Sequence, residues 1–471
     1  MKPLRLILLV TAALLTIFGG SRLLAGLTEG TPAAAADDDQ DFGVDIWGAK
    51  QGLPMVRKDP IATPLFLNMG TEPDKLGLTQ KLSDQVADDM RMTGRFEVID
   101  RALYVENPHT AGIKMNQFNF KDWSDIGAEY LIKGGFKFEG ETLTVELRLF
   151  HVPTKKMLVG KGYTGKPEDW YVMVHKFGND VVYELTREKG IFGTKIAFVS
   201  APVYGGETQE LYVVDVDGRN LKRLTFLNGK AKNPTWSPDG TQLVFAWENS
   251  ANTTDPYNYL YAIPAEGGKP KLIFGVKGLV VTPRFSPSGS RIALAVSLEG
   301  NMEIYTIPAA GGQLKRLTVS AAIELFPAWS PDGSQLAFVS DRTGSPQIWK
   351  MNSDGSEPKR VSYFGTYNQA PDWARSPTGE KIVYSSRESG GFHILMMNAD
   401  GTDTTVITQG QGFASCEYPA FSPDGRAIAM TTNAGNGRQL QIFNVDGSFT
   451  KQLTKVGADD TNPSWSPRLL N

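Results

Sequence analysis

The pattern of apolar and polar positions divides the chain into two regions with different predicted structures. From residue 191 onward, apolar and polar residues alternate over short stretches such as Gln335–Ser340 and Gln347–Met351. Alternation of this kind is typical of half-buried β-strands. Between residues 61 and 190 the period changes along the chain, and both helices and strands are predicted there.

One phrase recurs six times in the β-rich region. It places an aromatic residue two positions after a proline, followed by a Ser-Pro-Asp-Gly turn or a variant of it, and the aromatic positions lie 44 to 49 residues apart. These aromatic residues are Trp236, Phe285, Trp329, Trp373, Phe421 and Trp465. A period of this length with several short strands is typical of β-propeller blades. We expect the aromatic residues to pack between blades rather than to form a platform for sugars.

The two ends of the repeat region complete one blade. Lys195–Ser200 matches the strand that follows a Ser-Pro-Asp-Gly turn, although no such turn precedes it. Pro463–Pro467 matches an innermost strand and the start of its turn, although no further strand follows it. We therefore predict an all-β six-bladed β-propeller over residues 191–471, closed by pairing between its ends.

The region from residue 61 to residue 190 is predicted to be a small α/β domain, joined to the propeller with almost no linker. Its predicted helices are Leu76–Thr93, Lys121–Ala128 and Asp169–Glu188, the last ending at Gly190. Its predicted strands are Ile61–Met69, Phe96–Ile99, Tyr130–Phe138, Thr142–His151 and Lys156–Tyr163. The fold class is thus a two-domain chain, α/β followed by β-propeller.

The N-terminal residues are typical of an export signal. Lys2 and Arg5 precede an apolar run, Leu6–Phe18, which is shorter than the roughly 20 residues that a membrane-spanning helix needs. Small residues favour cleavage after Ala36, which makes residues 1–36 a signal peptide and directs the protein to the periplasm. A retained membrane anchor is the alternative, because Leu23 and Leu24 prolong the apolar character. Residues 37–60 are expected to be an extended, mobile segment.

Composition narrows the classes of function. The net charge is -3 and no long basic tract occurs, so nucleic-acid binding is not expected. Cys416 is the one cysteine, which excludes an intramolecular disulfide, and we expect it to be buried. We expect a monomer.

No motif predicts catalysis, a metal or another cofactor. The four histidines, His109, His151, His175 and His393, do not form an HExxH motif, and no CxxC or Gly-x-Ser-x-Gly motif occurs. The Asp-x-Asp-Gly turns lack the downstream glutamate of a calcium loop. We predict that the protein is not an enzyme, and that His151 and His175 have structural or surface roles.

The best candidate for function is one mouth of the propeller channel. The segments before the recurrent proline differ in sequence from blade to blade. They are predicted to be exposed loops that bind a protein partner. These segments are Lys232–Asn233, Val281–Thr282, Leu325–Phe326, Gln369–Ala370, Glu417–Tyr418 and Thr461–Asn462.

Taken together, these features resemble the TolB family of periplasmic Tol-Pal components. The resemblance rests on Phe96–Arg101, on the junction Gly190–Phe198, on the six repeats and on the ending Pro463–Pro467. It covers nearly the whole chain after the signal peptide. It implies a scaffold that serves outer-membrane integrity and envelope constriction during division.

The resemblance also implies partners. The lipoprotein Pal would bind at the propeller mouth, and the inner-membrane protein TolA would bind the segment from residue 37 to about residue 52; further outer-membrane or periplasmic proteins are possible partners. The implied mouth contacts are Asn233, Leu279, Thr282, Leu325, Phe326, Gln369, Ala370, Glu417, Tyr418 and Asn462. The implied N-terminal contacts are Asp41, Phe42, Val44, Ile46 and Trp47.

Two alternative functions stay open at this stage. One is a propeller module related to peptidases, although the α/β region lacks a nucleophile motif. The other is a peptidoglycan or glycan binder in which Phe326, Tyr418 and Trp123 stack on sugars.

Overall fold

The structure, a computed structural model, describes most of the chain from residue 57 onward. The described ranges are 57–107, 110–202, 208–249, 257–298, 300–388, 391–433, 437–455 and 458–469. The predicted signal peptide and the N-terminal contacts Asp41, Phe42, Val44, Ile46 and Trp47 lie outside these ranges, as does His109.

The α/β domain is built on one mixed sheet. Its strands are β1 (Asp59–Ala62), β2 (Leu67–Asn68), β3 (Phe96–Val98), β4 (Tyr130–Glu139), β5 (Thr142–His151) and β6 (Lys156–Gly165). The order is β3-β1-β4-β5-β6, and β2 also pairs with β4. The pairs formed by β1 and β2 are parallel, whereas β4, β5 and β6 form an antiparallel meander.

Helices cover both faces of this sheet. They are α1 (Leu78–Met92), α2 (Phe120–Ser124) and α3 (Trp170–Thr186). In α1 the buried residues Leu78, Leu82, Val86 and Met90 are four apart, so they form one stripe that packs with α3 against the sheet. On the other face, Trp123 of α2 belongs to a smaller cluster around β4 and β5.

Three predicted elements of this domain were wrong in extent. The predicted helix Lys121–Ala128 ends at Ser124, ahead of a turn in which Gly127 has a φ of 79°. The predicted strand Ile61–Met69 is two short strands, because the chain leaves the sheet after Ala62 and returns only at Leu67. The last helix ends at Thr186 and not at Gly190: Arg187 takes the left-handed conformation that stops the helix, and its N–H bonds to the Tyr183 carbonyl.

The predicted six-bladed propeller is confirmed, with six antiparallel four-stranded sheets. The first three strands are β7 (Lys195–Pro202), β8 (Glu210–Asp215) and β9 (Lys222–Arg223). Blade 2 contains β10 (Lys230–Trp236), β11 (Gln242–Glu248), β12 (Tyr257–Pro264) and β13 (Lys271–Lys277). Blade 3 contains β14 (Val280–Phe285), β15 (Arg291–Ser297), β16 (Met302–Pro308) and β17 (Lys315–Arg316).

The remaining blades follow the same order from the innermost strand outward. Blade 4 contains β18 (Glu324–Trp329), β19 (Gln335–Ser340), β20 (Gln347–Asn352) and β21 (Lys359–Arg360). Blade 5 contains β22 (Asn368–Ser376), β23 (Gly379–Glu388), β24 (Gly391–Asn398) and β25 (Thr405–Val406). Blade 6 contains β26 (Cys416–Phe421), β27 (Ala427–Asn433), β28 (Arg438–Asn444) and β29 (Thr450–Gln452).

The last strand closes the ring. β30 (Ala458–Trp465) pairs with β7, so that blade 1 has the order β30-β7-β8-β9. Two side chains reinforce this closure: Trp465 Nε1 donates to Thr194 Oγ1 at 2.9 Å, and Ser466 Oγ accepts from the Lys195 N–H at 2.9 Å.

The recurrent turns and aromatic residues have the predicted structural roles. In the first Ser-Pro-Asp-Gly turn, the Gly240 N–H donates to the Ser237 carbonyl, and Gly240 has a φ of 70°, which favours glycine. Trp236 is buried and donates from Nε1 to the Ser464 carbonyl of blade 1. Trp329 makes the same bond to the Arg284 carbonyl of blade 3. These two indoles therefore join one blade to the next.

The two domains share one hydrophobic core. A single cluster of buried residues includes Val86 and Phe177 of the α/β domain together with Ile196 and Leu440 of the propeller. The absence of a long linker is explained by this packing, because Phe192, in the connection between α3 and β7, is itself buried in the cluster.

A buried charge cluster crosses the same boundary. His175 of α3 places Nδ1 2.9 Å from an oxygen of Asp89 in α1 and Nε2 3.0 Å from an oxygen of Asp217 in the propeller. Arg219 forms an ion pair with Asp217 and donates to Gln85 at 2.7 Å. Burial alone would lower the pKa of His175, but the two carboxylates raise it to about 10. The imidazole is therefore positively charged at neutral pH.

Candidate functional site

The channel is lined by the innermost strands, β10, β14, β18, β22, β26 and β30. Each of them has a bulge at the same place, just before or at the recurrent proline. The residue before that proline has a left-handed φ in every blade; these residues are Asn233, Thr282, Phe326, Ala370, Tyr418 and Asn462. Because five different residue types adopt one conformation at these six positions, the fold imposes the bulge.

The predicted mouth segments are therefore not exposed loops, and that part of the prediction was wrong. The innermost strands begin before these residues, and most of the predicted contacts are buried inside the ring. The buried ones are Asn233, Thr282, Leu325, Phe326, Gln369, Ala370, Tyr418 and Asn462. Leu279 and Glu417 are half-buried. Each innermost strand continues through the bulge, so the segment before the proline belongs to the strand and not to a loop. The alternation of apolar and polar residues did not reveal this bulge.

The left-handed residues form a narrow throat across the channel. The space left there is about 10 Å³, enough for about one water molecule. Phe326 and Tyr418 lie across it, with ring centroids 6.4 Å apart. The throat separates the two ends of the channel. We call the end where the innermost strands begin the mouth face, and the end with the Ser-Pro turns the Ser-Pro face.

Glu417 sits beside the throat on the mouth side. Its carboxylate accepts a hydrogen bond from Gln369 Nε2 at 3.2 Å. Nearby, Arg438 forms a two-point ion pair with Asp459, at 2.7 and 2.6 Å. Burial raises the pKa of Glu417 to about 7, although the positive charge of Arg438 opposes the shift. The charge on this side of the throat therefore changes near neutral pH.

The mouth face carries exposed apolar side chains that the sequence analysis missed. Phe226, Val319 and Tyr363 are 70%, 84% and 67% exposed, the highest values for large apolar side chains in the described part of the propeller. Each lies just after the outermost strand, on a connection that leads to the next innermost strand. We call these three residues the apolar rim.

The apolar rim occupies one repeat position. It follows a basic residue, an apolar residue and a hydroxyl residue, as in Arg223-Leu-Thr-Phe226 and Arg360-Val-Ser-Tyr363. The two arginines stack on the rings, with Arg223 Cζ 4.4 Å from the Phe226 centroid and Arg360 Cζ 5.1 Å from the Tyr363 centroid. Alignment of the six repeats over their full length, and not only at the Ser-Pro turns, would have revealed this position.

The proposed stacking of sugars on Trp123 is excluded by burial. Trp123 is 1% exposed and packs edge-on against Tyr104 inside the α/β domain. Phe326 and Tyr418 are also buried, at the throat. These three aromatic residues do not form an accessible platform.

Other chemistry is limited within the described ranges. No group of three or more His, Cys, Asp or Glu side chains there is placed to hold a metal ion. Cys416 is buried, as predicted, and burial raises the pKa of its thiol to about 12. Among the described residues, none of the helices has the length and apolar character needed to cross a membrane.

Two family models match the chain, one for each domain. The family model described as the TolB beta propeller domain matches residues 182–469, and the one described as the TolB amino-terminal domain matches residues 54–158.

Curated relatives share part of the chain. The Tol-Pal system protein TolB of Desulfosudis oleivorans is 36% identical over 252 residues, which cover 53% of this chain and 55% of that protein. The Tol-Pal system protein TolB of Geobacter sulfurreducens is 35% identical over 170 residues, covering 36% of this chain and 38% of that protein. The chain thus matches about half or less of the length of these relatives.

A solved structure matches more of the fold. The crystal structure of TolB from Acinetobacter baumannii aligns with a TM-score of 0.72 and 25% identity. The alignment covers 88% of this chain and 98% of that one, so it includes both domains.

Proposed function

The chain belongs to the TolB family, and on that basis we propose that it is a periplasmic protein-binding component of the Tol-Pal envelope system. In this proposal the protein is a scaffold without catalytic activity. It binds the lipoprotein Pal at the mouth face of the propeller and TolA through its N-terminal segment, and it serves outer-membrane integrity and constriction during division.

The observation that carries the proposal is the apolar rim. Exposed apolar side chains that recur at one repeat position on one face of a rigid scaffold favour a protein partner, because their burial on binding is favourable. Phe226 and Tyr363 are aromatic, and aromatic residues are enriched among the residues that dominate binding energy. The rim stands on the same face as Leu279 and Glu417 of the predicted mouth contacts.

We accordingly assign the partner contacts in two layers. The rim, with Leu279, would meet the partner first, because these side chains are accessible. The throat residues Phe326 and Tyr418 would contact only a partner segment that reaches into the channel. The remaining predicted contacts would support the bulged backbone rather than touch the partner.

The direct test is binding of the soluble domain of Pal from the same organism, measured by calorimetry. Phe226→Asp and Tyr363→Asp should each weaken binding by about 2 kcal/mol or more if the residue is a dominant contact. Leu272→Asp is the matched control, because Leu272 is exposed on the outer strand β13 away from the mouth. Equal affinities for wild type and both rim variants would contradict the assignment.

The TolA contact is proposed for the segment from residue 37 to residue 52. A mature chain that starts at residue 53 should lose TolA binding and keep Pal binding, because the mouth face lies in the propeller. If the shortened chain kept full affinity for TolA, the proposed contacts would be wrong; these are Asp41, Phe42, Val44, Ile46 and Trp47.

A further inference from the structure

The channel widens on the Ser-Pro side of the throat into a chamber of about 490 Å³. Its lining consists of propeller residues: the position after each recurrent proline, the recurrent aromatic residues and the Ser-Pro turns. Because the throat leaves only about 10 Å³, the chamber is a pocket that opens at the Ser-Pro face. It lies on the opposite side of the throat from the apolar rim and shares no residue with it.

Two charged residues depart from the repeat at the inner end of this chamber. The position after each recurrent proline holds Thr235, Arg284, Ala328, Asp372, Ala420 and Ser464. Four of the six are small and uncharged, as expected where six side chains converge on one axis. The fold therefore does not require the charges of Arg284 and Asp372, and both side chains line the chamber.

The Arg284 guanidinium has no protein partner among the described residues. It forms no hydrogen bond and no ion pair. The carboxylate of Asp372 is near enough to attract it through its charge but does not contact it. Asp372, by contrast, accepts a hydrogen bond from the Phe421 N–H at 2.7 Å. A guanidinium has five N–H donors in a planar fork that matches a carboxylate. Arg284 is half-buried and lines the chamber, so these donors are open to an anionic ligand.

We propose that the chamber binds a carboxylate-bearing ligand of peptide-like character, with Arg284 as the partner of the carboxylate. The chamber volume lies in the range of about 300–1,000 Å³ that is typical of small-molecule sites. Aromatic and proline side chains form much of its wall and suit an apolar or peptide body, such as the C-terminal end of a short peptide. The nearby negative charge of Asp372 disfavours a second acidic group on the ligand.

The test compares two probes that differ in one charge, N-acetyl-trialanine with a free carboxylate and its C-terminal amide. Binding is followed by calorimetry and by the arginine Nε–H signals in ¹H–¹⁵N spectra, where Arg284→Gln identifies the signal of Arg284. We expect the acid to shift this signal saturably at fixed ionic strength, and the amide to leave it unchanged. Equal effects of acid and amide, or no saturable shift up to millimolar acid, would overturn the proposal.

Variants locate the site. Arg284→Gln should lower the affinity for the acid about tenfold or more, because a charge-assisted hydrogen-bonded pair is lost. Arg284→Lys, which keeps the charge without the fork, should lower it less. Arg375→Gln is the matched control, because the Arg375 side chain is 75% exposed outside the chamber. Unchanged affinity in Arg284→Gln, with the fold intact by circular dichroism, would contradict the assignment.

Asp372→Asn gives an independent check with the opposite sign. Removal of the neighbouring negative charge should raise the affinity for the acid and leave the response to the amide unchanged. A lower affinity for the acid in Asp372→Asn would contradict the arrangement of charges described here.

Discussion

At the scale of single residues, His175 joins the α/β domain to the propeller. It is buried, it lies between two carboxylates from different domains, and its ring stacks on Phe192 with centroids 5.9 Å apart. Both ring nitrogens face acceptors, so only the imidazolium satisfies both contacts.

We predict that His175→Ala lowers the free energy of unfolding by roughly 3–5 kcal/mol, because it leaves the carboxylates of Asp89 and Asp217 buried without their shared cation. Urea denaturation at pH 7 measures the change. His151→Ala is the control, because His151 is partly exposed and its contacts with Thr154, Glu129 and Tyr130 all lie within the α/β domain. A loss in His175→Ala no larger than in the control would show that the cluster does not stabilise the fold.

The same residue predicts a pH dependence. Its pKa in the folded state, about 10, is above the value of about 6.5 expected in the unfolded chain. The stabilisation is therefore fully present below about pH 6.5 and is lost as the pH rises through about 10. The difference in stability between wild type and His175→Ala should shrink over that alkaline range. A difference that stays constant from neutral pH to about 11 would contradict a charged His175.

Glu417 predicts a second, separate pH effect near the throat. The pKa of Glu417 in the folded protein, about 7, is also raised above its ordinary value. Its contribution to folding stability is therefore present at acidic pH and is lost as the pH rises through about 7. The free energy of unfolding of Glu417→Gln should therefore exceed that of the wild type by about 1–3 kcal/mol above neutral pH, and by little at pH 5. Thermal unfolding at the two pH values measures this, and the exposed Glu141→Gln is the control. A gain of equal size at both pH values would exclude titration of Glu417 as the cause.

Residue types were easier to predict from the sequence than their partners. The structural role of His175 was anticipated, but Asp89 is 86 positions away and Asp217 is 42 positions away. No local period connects residues so far apart, since only the docking of the two domains brings them together. Arg284 was missed for a similar reason: it stands out only when the six blades are compared at one position.

At the scale of elements, the innermost strands show what a repeat can and cannot predict. The strands, their turns and the packing of the aromatic residues follow from alternation, from Ser-Pro-Asp-Gly and from the fixed spacing. The bulge does not, because the residues at its left-handed position range from Ala370 to Phe326 and share no local preference for that conformation. It recurs at the same place in all six innermost strands, so it belongs to the ring as a whole.

Closure of the ring gives a prediction at this scale. Trp465→Ala should cost roughly 3–5 kcal/mol, because it removes a buried indole and its bond to Thr194 at the pairing of β30 with β7. Phe226→Ala, which changes an aromatic residue that is 70% exposed, should change stability by no more than about 0.5 kcal/mol. Chemical denaturation compares them, and equal losses would contradict the role given to the closing strand.

At the scale of the whole molecule, the order of two domains was predicted, but their shared core was not. The cluster that joins α1 and α3 to blades 1 and 6 depends on which faces the domains present to each other. We predict a single calorimetric unfolding transition for a chain that starts at Asp37, and a lower midpoint for a propeller that starts at Ile191, because the isolated propeller exposes its half of the cluster. Two transitions, with the propeller midpoint unchanged in isolation, would contradict a shared core.

Binding of a protein partner at the mouth face is tested most directly by hydrogen exchange on the complex with the soluble domain of Pal. We predict slower exchange in the connections that carry Phe226, Val319 and Tyr363 and around Leu279, with the Ser-Pro turns unchanged. Protection confined to the Ser-Pro turns or to the α/β domain, in a complex shown to be saturated, would contradict it.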